Sequence, residues 1–402
     1  MKNADGDYLL GIYDELGVKR VINCVSTTSP LGSSVTYPEV MDAMKEASAN
    51  YVAIDDLQDK VGKVIARLTG AESAVVTCGC DAALTMATAA CMMKGTPLEK
   101  YSPSPSSPPA ERGEWLTWME RLPNDTEGLK NELILQRGHV CLYTQAFRVA
   151  GAKLVLVGTP NQCSPEEIER KITDRTAAIG FAGMYEQRGI PLEEVQRIAR
   201  RHGIPVIMDA AYTLPPRRNL RRWASMGVEI VCYAGGKAIR GPSDTGILCG
   251  RKDLVNLAAI QMSPHHGVGR GFKVDKTQIV GLLKALQIFV GQDDDKEFSL
   301  REAKARYIVE ELRRMRMVAN VEYTVPTEGL IRAWPVVTLS LNEKALGIKT
   351  KDVVDRLHQG NPGIWTYYDD PLCPGGITMN TENLLDNDET LVVTRLKEIL
   401  QA

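Results

Sequence analysis

Between about residues 60 and 250, short apolar runs alternate with stretches of helical periodicity. In order they read SAVVT then DAALTMATAACMM, NELILQ, AKLVLVG, TAAIGFAG then PLEEVQRIARRHG, IPVIMDA, VEIVCYA and GILCG. Runs of this length with no polar residue every second position are strands covered on both faces, and sheets of that kind are mostly parallel and flanked by helices. This alternation constrains the chain more than any other feature, because a parallel pair needs a crossover helix to bring the chain back. The centre of the chain is therefore expected to be an α/β layered domain.

One crossover is legible in detail. Pro191 opens LEEVQRIARRHG, whose first turn is acidic, whose last turn is basic and which stops at Gly203 before the strand IPVIMDA; each placement favours a helix followed by a strand. Beyond about Gly250 the pattern changes to longer helices, QIVGLLKALQIFV and FSLREAKARYIVEELRRM, then strands such as VVTLSL and the helix TKDVVDRLHQG. The expected division is residues 1–50 as an N-terminal segment completing a small domain and the active site, 51–265 as the large domain, and 266–402 as a smaller α+β domain. The stretch from Gly95 to about Asp125, centred on SPSPSSPPAERGE, reads as a surface insertion too rich in proline and serine to pack.

Composition removes several function classes. Hydrophobic residues make up 44% and charged residues 24% of the 402 residues, ordinary values for a globular chain and not for a disordered one. Lysine and arginine number 48 against 50 acidic residues, a net charge of −2, which offers no whole-chain footprint for nucleic acid or an anionic membrane. The start MKNADGDYLL has no basic region ahead of an apolar core, and no long uncharged apolar run follows, so a cytoplasmic chain is expected. Nine scattered cysteines read as reduced core thiols, and Cys78 and Cys80 lack the further ligands a zinc site needs.

Three segments carry candidate chemistry. In VEIVCYAGGKAIRGPSDTGILCG a strand ends in two glycines, Lys237 follows, and a Gly-Pro turn leads to another strand. An ammonium held beside desolvating strands loses basicity toward a nucleophilic amine, which suits a Schiff-base lysine; the alternative is a lysine exposed on a hairpin turn. In GIPVIMDAAYT an apolar strand ends at Asp209, on the ligand-facing edge of a parallel sheet. That carboxylate could pair with the pyridinium nitrogen of pyridoxal phosphate, or it could cap the next element. In SAVVTCGCDAALTMATAA the strand-to-helix turn Thr77, Cys78, Gly79, Cys80, Asp81 presents open N–H groups at a helix N-terminus, where a phosphate could bind; most such turns bind nothing. Anion turn, carboxylate and lysine in this chain order make up a pyridoxal-phosphate site. GVGRG at 267–271 follows Met-Ser-Pro-His-His rather than a strand, so it is not a dinucleotide loop.

From Val21 to about Lys284 the sequence resembles the selenocysteine-synthase-like branch of the fold-type-I pyridoxal-phosphate enzymes, and within it the D-glucosaminate-6-phosphate ammonia-lyase group. The matching motifs are VINCVSTTSPLGSS, DDLQDKVGKVIARLTGAESAVVT, LPNDTEGLKNELILQRGH, VIMDAAYTLPP, YAGGKAIRGPSDTG and GVGRGFKVDKTQIVGLLKAL. The resemblance implies a large domain with a mostly parallel seven-stranded sheet between helices, plus a smaller C-terminal α+β domain. It implies that Lys237 forms the imine with pyridoxal 5'-phosphate, that Asp209 pairs with the ring nitrogen, and that the phosphate lies at Cys78, Gly79 and Cys80 with Ala234 alongside. His139, ending NELILQRGH, is the candidate for the group stacked on the ring; a buried structural histidine is the alternative. Arg270, Lys273 and Lys276 would suit anionic groups of a substrate or a neighbouring subunit, or form a solvated basic face.

Departures from the family pattern bear on the substrate. The turn has Cys78 where a serine is usual, Ala234 replaces a serine ahead of the lysine, and Thr28-Ser29-Pro30-Leu31-Gly32 lacks an arginine found in the usual Thr-Arg-Leu-Gly. Asp81 would repel a phosphate brought close, so its side chain is expected to turn away. The expected activity is removal of ammonia from a small amino acid, phosphorylated or polyhydroxylated, by α-proton abstraction and β-elimination. Racemisation through the same α-deprotonated intermediate is the runner-up. Selenium transfer by β-replacement, or a homologue that binds the cofactor without turnover, are further alternatives. The expected partners are a small amino acid and copies of the same chain in a homodimer or larger homo-oligomer, with no nucleic acid and no membrane.

Overall fold

The computed structural model describes residues 11–101, 113–328, 331–332 and 334–401. The chain divides into two compact units: Thr36–Gln292 with Glu328–Ile331, and a second formed by the N-terminal segment to Val35, Asp293–Thr327 and the C-terminal segment from Arg332. This division lies at Val35 and Gln292, whereas the sequence pattern suggested borders at 50 and 265. The reason is the helix Lys276–Gly291, which packs against Pro38–Ser48 within the first unit and keeps both inside it.

The first unit is built on seven strands: β1 (Ser73–Thr77), β2 (Glu132–Gln136), β3 (Lys153–Val157), β4 (Thr176–Ala182), β5 (Val206–Asp209), β6 (Ile230–Ala234) and β7 (Gly246–Gly250). They lie in the order β1-β7-β6-β5-β4-β2-β3. All neighbours from β6 to β3 run parallel, while β7 is antiparallel to both β1 and β6. Strand β7 follows β6 through a short connection with no helix, which forces the reversal. Strand β4 is buried at every position and so are Val206–Met208, which is why these strands read as unbroken apolar runs.

Helix α1 (Pro38–Ser48) packs on α5 (Lys276–Gly291), and α2 (Ile54–Thr69), α3 (Gly79–Met93) and α4 (Leu192–Arg201) pack on the sheet. Residues Ala82–Met93 of α3 are all buried, so this helix is apolar on every side and forms the centre of the unit. Helix α4 matches the sequence reading, with Pro191 at its N-cap, Glu193 and Glu194 in its first turn and Arg200 and Arg201 in its last. The 95–125 stretch differs from expectation: Leu98, Met119 and Leu122 pack into the core, so its flanks are structural. Its Pro/Ser-rich centre lies outside the described residues.

The second unit has a four-stranded antiparallel sheet of β8 (Val318–Thr324), β9 (Val336–Leu341), β10 (Tyr367–Asp370) and β11 (Cys373–Asn380), in the order β10-β11-β9-β8. It is packed by α6 (Asp294–Leu312), α7 (Thr350–Gln359) and α8 (Asp388–Gln401) around a separate core. Val21–Asn23 pairs in parallel with Gly363–Trp365, which ties the N-terminal segment to this unit. A buried ion pair joins Arg20 to Asp388. No helix among the described residues is long and apolar enough to cross a membrane.

Candidate active site

In a parallel sheet the loops that follow the strands collect at one edge, and those after β1, β5 and β6 carry the three segments singled out above. After β1 the chain turns directly into α3. Gly79 has φ +83°, a left-handed conformation that disfavours a side chain, and Cys78 makes no side-chain cap to the helix. The first N–H groups of α3 are therefore not satisfied by a capping side chain. Thr77 Oγ1 donates to the Gly79 carbonyl at 2.9 Å and fixes the turn from below.

Asp209 closes β5. Its Oδ1 accepts the Ala211 N–H at 3.0 Å and lies 3.8 Å from Cys80 Sγ, while Oδ2 accepts no hydrogen bond from the described residues. Burial pushes the carboxyl up from its ordinary value; the Ala211 N–H, the Lys237 ammonium and the Cys80 contact pull it back. Of the two roles open to Asp209, the local turn uses one oxygen and leaves the other for a ligand.

Lys237 sits in the β6–β7 connection. Gly235 N–H donates to the Thr245 carbonyl at 2.8 Å, Gly241 N–H to the Gly235 carbonyl at 2.9 Å and Arg240 N–H to the Lys237 carbonyl at 2.8 Å, so the loop is folded on itself. A Cβ on Gly235 would fall 2.2 Å from Thr245 Oγ1, and one on Gly236 2.5 Å from Ser243 Cα. These glycines are thus demanded by the loop's own return arm. Lys237 is half-buried, with Nζ 3.7 Å from the centre of the Tyr212 ring and 5.7 Å from that of Tyr143. The sequence reading missed both tyrosines; Tyr212, three residues after Asp209 in DAAYT, was within sight of it.

His139 is 1% exposed. Its Nδ1 accepts the Ala182 N–H at 3.1 Å, which puts the proton of the neutral ring on Nε2. Its ring meets Phe181 edge to face at 4.6 Å. Burial brings its pKa down to about 4. Asp81 is exposed, and its carboxyl is raised first by burial of its surroundings and then by Asp209, with Lys237 opposing. It therefore lies within electrostatic reach of the two central groups. Ala234 pairs with Gly246 at the end of β6.

The three C-terminal cations do not join this cluster. Arg270 Nη1 donates to Ser263 Oγ at 3.2 Å, and Lys276 Nζ donates to the carbonyls of Ser48, at 3.4 Å, and Asn50. Lys273 is exposed. None of them bonds to Lys237, Asp209 or the 78–80 turn. Lys276 instead ties α5 to the end of α1.

A seven-stranded sheet with one reversed strand, a carboxylate after its fifth strand and a lysine after its sixth define the class of fold-type-I pyridoxal-phosphate enzymes. The chain belongs to the DegT/DnrJ/EryC1/StrS aminotransferase family, whose sequence profile matches residues 144–384. Over 97% of its length, and 98% of the relative's, it is 28% identical to a D-glucosaminate-6-phosphate ammonia lyase from Salmonella typhimurium (strain 14028s / SGSC 2262). A solved structure of a D-glucosaminate-6-phosphate ammonia-lyase superposes with a TM-score of 0.83 at 26% identity, covering 98% of this chain and 99% of the other. A 5'-C-glycyluridine monooxygenase-decarboxylase from a Streptomyces species is 29% identical, covering 96% of this chain and 92% of its own. An L-seryl-tRNA(Sec) selenium transferase from Alkaliphilus oremlandii (strain OhILAs) is 28% identical over 42% of this chain and 39% of its own.

Pyridoxal phosphate is the cofactor of this class, and the residues present fit it. An uncapped helix start suits its phosphate, the open Oδ2 of Asp209 suits its ring nitrogen, and a half-buried amine between aromatic rings suits its aldehyde.

Proposed function

We propose that this chain is a pyridoxal-phosphate-dependent ammonia-lyase acting on a small amino acid that carries phosphate or hydroxyl groups. The observation that carries the reading is the arrangement of Lys237, Asp209 and the α3 start within one unit, in a chain alike over nearly its full length to an enzyme named as an ammonia lyase. Gly79 and Cys80 would hold the cofactor phosphate through their N–H groups. Asp209 Oδ2 would keep a proton on the ring nitrogen, and Lys237 Nζ would hold the aldehyde carbon. When bound, the cofactor supplies an electron sink for negative charge at the substrate α-carbon. Once a substrate amine takes its place on the cofactor, Lys237 Nζ would be the base that takes the α-proton. Tyr212 and Tyr143 flank Nζ, with the Tyr212 ring the nearer of the two. Loss of a β-substituent, followed by hydrolysis, would give a 2-oxo acid and ammonia. We include a homo-oligomer in this proposal; light scattering on an active monomer would refute that part.

The decisive assay incubates the cofactor-loaded protein in deuterated water with D- and L-amino acids, phosphorylated and polyhydroxylated ones included. Ammonia and 2-oxo acid in equal amounts are expected. Deuterium exchange with inversion and no ammonia would mean racemisation and refute the lyase reading. A second reading, oxidative decarboxylation, rests on the Streptomyces relative, which matches as much of the chain under a different activity; oxygen uptake coupled to carbon dioxide release without ammonia would favour it.

A further inference from the structure

Resting on the cofactor reading above, we propose that Cys80 is a positioning residue for Asp209: its thiol holds Oδ1, so that Oδ2 is the oxygen offered to the ring nitrogen. Cys80 Sγ lies 3.8 Å from Asp209 Oδ1 and 3.5 Å from the Cys232 carbonyl oxygen. A thiol has one proton and serves one of them. Each acceptor already receives one backbone donor, Ala210 N–H at 2.8 Å on the Cys232 carbonyl and Ala211 N–H at 3.0 Å on Oδ1. Charge decides between them, because a donor gains about twice as much from an ionised acceptor as from a neutral one.

Two donors on the same oxygen fix the carboxylate plane and leave the other oxygen unbonded, which a single backbone N–H does less well. Burial, and the neighbouring Asp209 charge, keep the thiol protonated and therefore a donor. Cys80 also lies in the first turn of α3, next to Gly79. The turn that would hold the cofactor's phosphate thus reaches across to brace the group at its ring nitrogen, which couples the two anchors through one residue.

The test has two arms. In the cofactor-free protein, the infrared S–H stretch of Cys80 is isolated by subtracting the Cys80→Ala spectrum, and again in an Asp209→Asn background. Replacing the carboxylate by a neutral acceptor should weaken the bond and move the band to higher frequency; an unmoved band places the proton on the Cys232 carbonyl and overturns the proposal. In the cofactor-loaded protein, the visible absorbance is titrated with pH. Cys80→Ala should shift its midpoint by about half a unit to one unit, the equivalent of one ordinary hydrogen bond; identical midpoints in folded protein also overturn it. A wild-type protein with no visible band defeats the cofactor reading instead, and the infrared arm still decides the thiol contact.

Discussion

Gly246 is the position where packing and cofactor binding can be separated most sharply. It opens β7 and packs against the turn between β1 and α3: a Cβ there would lie 2.5 Å from both the carbonyl carbon and oxygen of Gly79 and 2.7 Å from Thr77 Oγ1. Carbon contacts become ordinary only near 3.4 Å, so Gly246→Ala requires the Gly79 peptide to retreat by about 0.9 Å. A phosphate hydrogen bond of about 2.9 Å stretched by that amount is no longer a bond. Losing one charge-assisted bond of about 1.5–3 kcal/mol raises Kd about ten- to a hundredfold. Overpacking itself should cost about 1–3 kcal/mol, which leaves the unit folded. Titrating the variant with pyridoxal phosphate by absorbance, with circular dichroism as the control for folding, reads both effects. Gly151→Ala, whose Cβ would lie 2.3 Å from the Pro123 carbonyl next to the outer strand β3, should lower stability and leave the cofactor Kd alone. A folded Gly246→Ala protein with wild-type cofactor affinity would refute the assignment of the α3 start to the phosphate.

Asp209→Asn should lower kcat by about 10²–10³-fold in folded protein, the usual loss on removing one electrostatic partner of the reacting group; near-normal turnover would remove Asp209 from the chemistry. His139 is neutral in the folded chain, with a pKa held near 4 against an ordinary 6.5. Because the unfolded chain binds the proton first, the stability His139 contributes is complete above about pH 6.5. It drains away as pH falls toward 4, by up to about 3 kcal/mol. Urea unfolding of His139→Gln should show a flatter decline across that window, and an unchanged slope would mean the histidine titrates normally. Asp388 is 1% exposed and paired with Arg20, so Arg20→Ala should destabilise the second unit by roughly 3–5 kcal/mol, most of it recovered in Arg20→Ala with Asp388→Asn. Equal unfolding midpoints for single and double variants would contradict a desolvated, unpaired carboxylate as the cause.

The α/β class, the helix at 192–201 and the chemistry-bearing segments around Cys78, Asp209 and Lys237 were legible because they depend on short-range facts. Apolar runs, proline at a helix start and glycine at a turn act within a few residues, and a carboxylate at a strand end must lie on the sheet's ligand edge. Other features depend on which segments meet. Tyr143 and Tyr212 converge on one ammonium from different loops, Lys276 spends its charge on α1 rather than on an anion, and Gly236 is small because Ser243 returns against it. His139 read equally well as a stacking group or a core residue, and the fold supplied its burial and its bond to Ala182.

Sequence by itself determined what each segment can be, since periodicity and backbone preference are properties of neighbouring residues. Tertiary structure alone decided what each charged or polar atom faces. Desolvation, hydrogen-bond direction and the choice between the two oxygens of Asp209 follow from groups far apart along the chain and close in space.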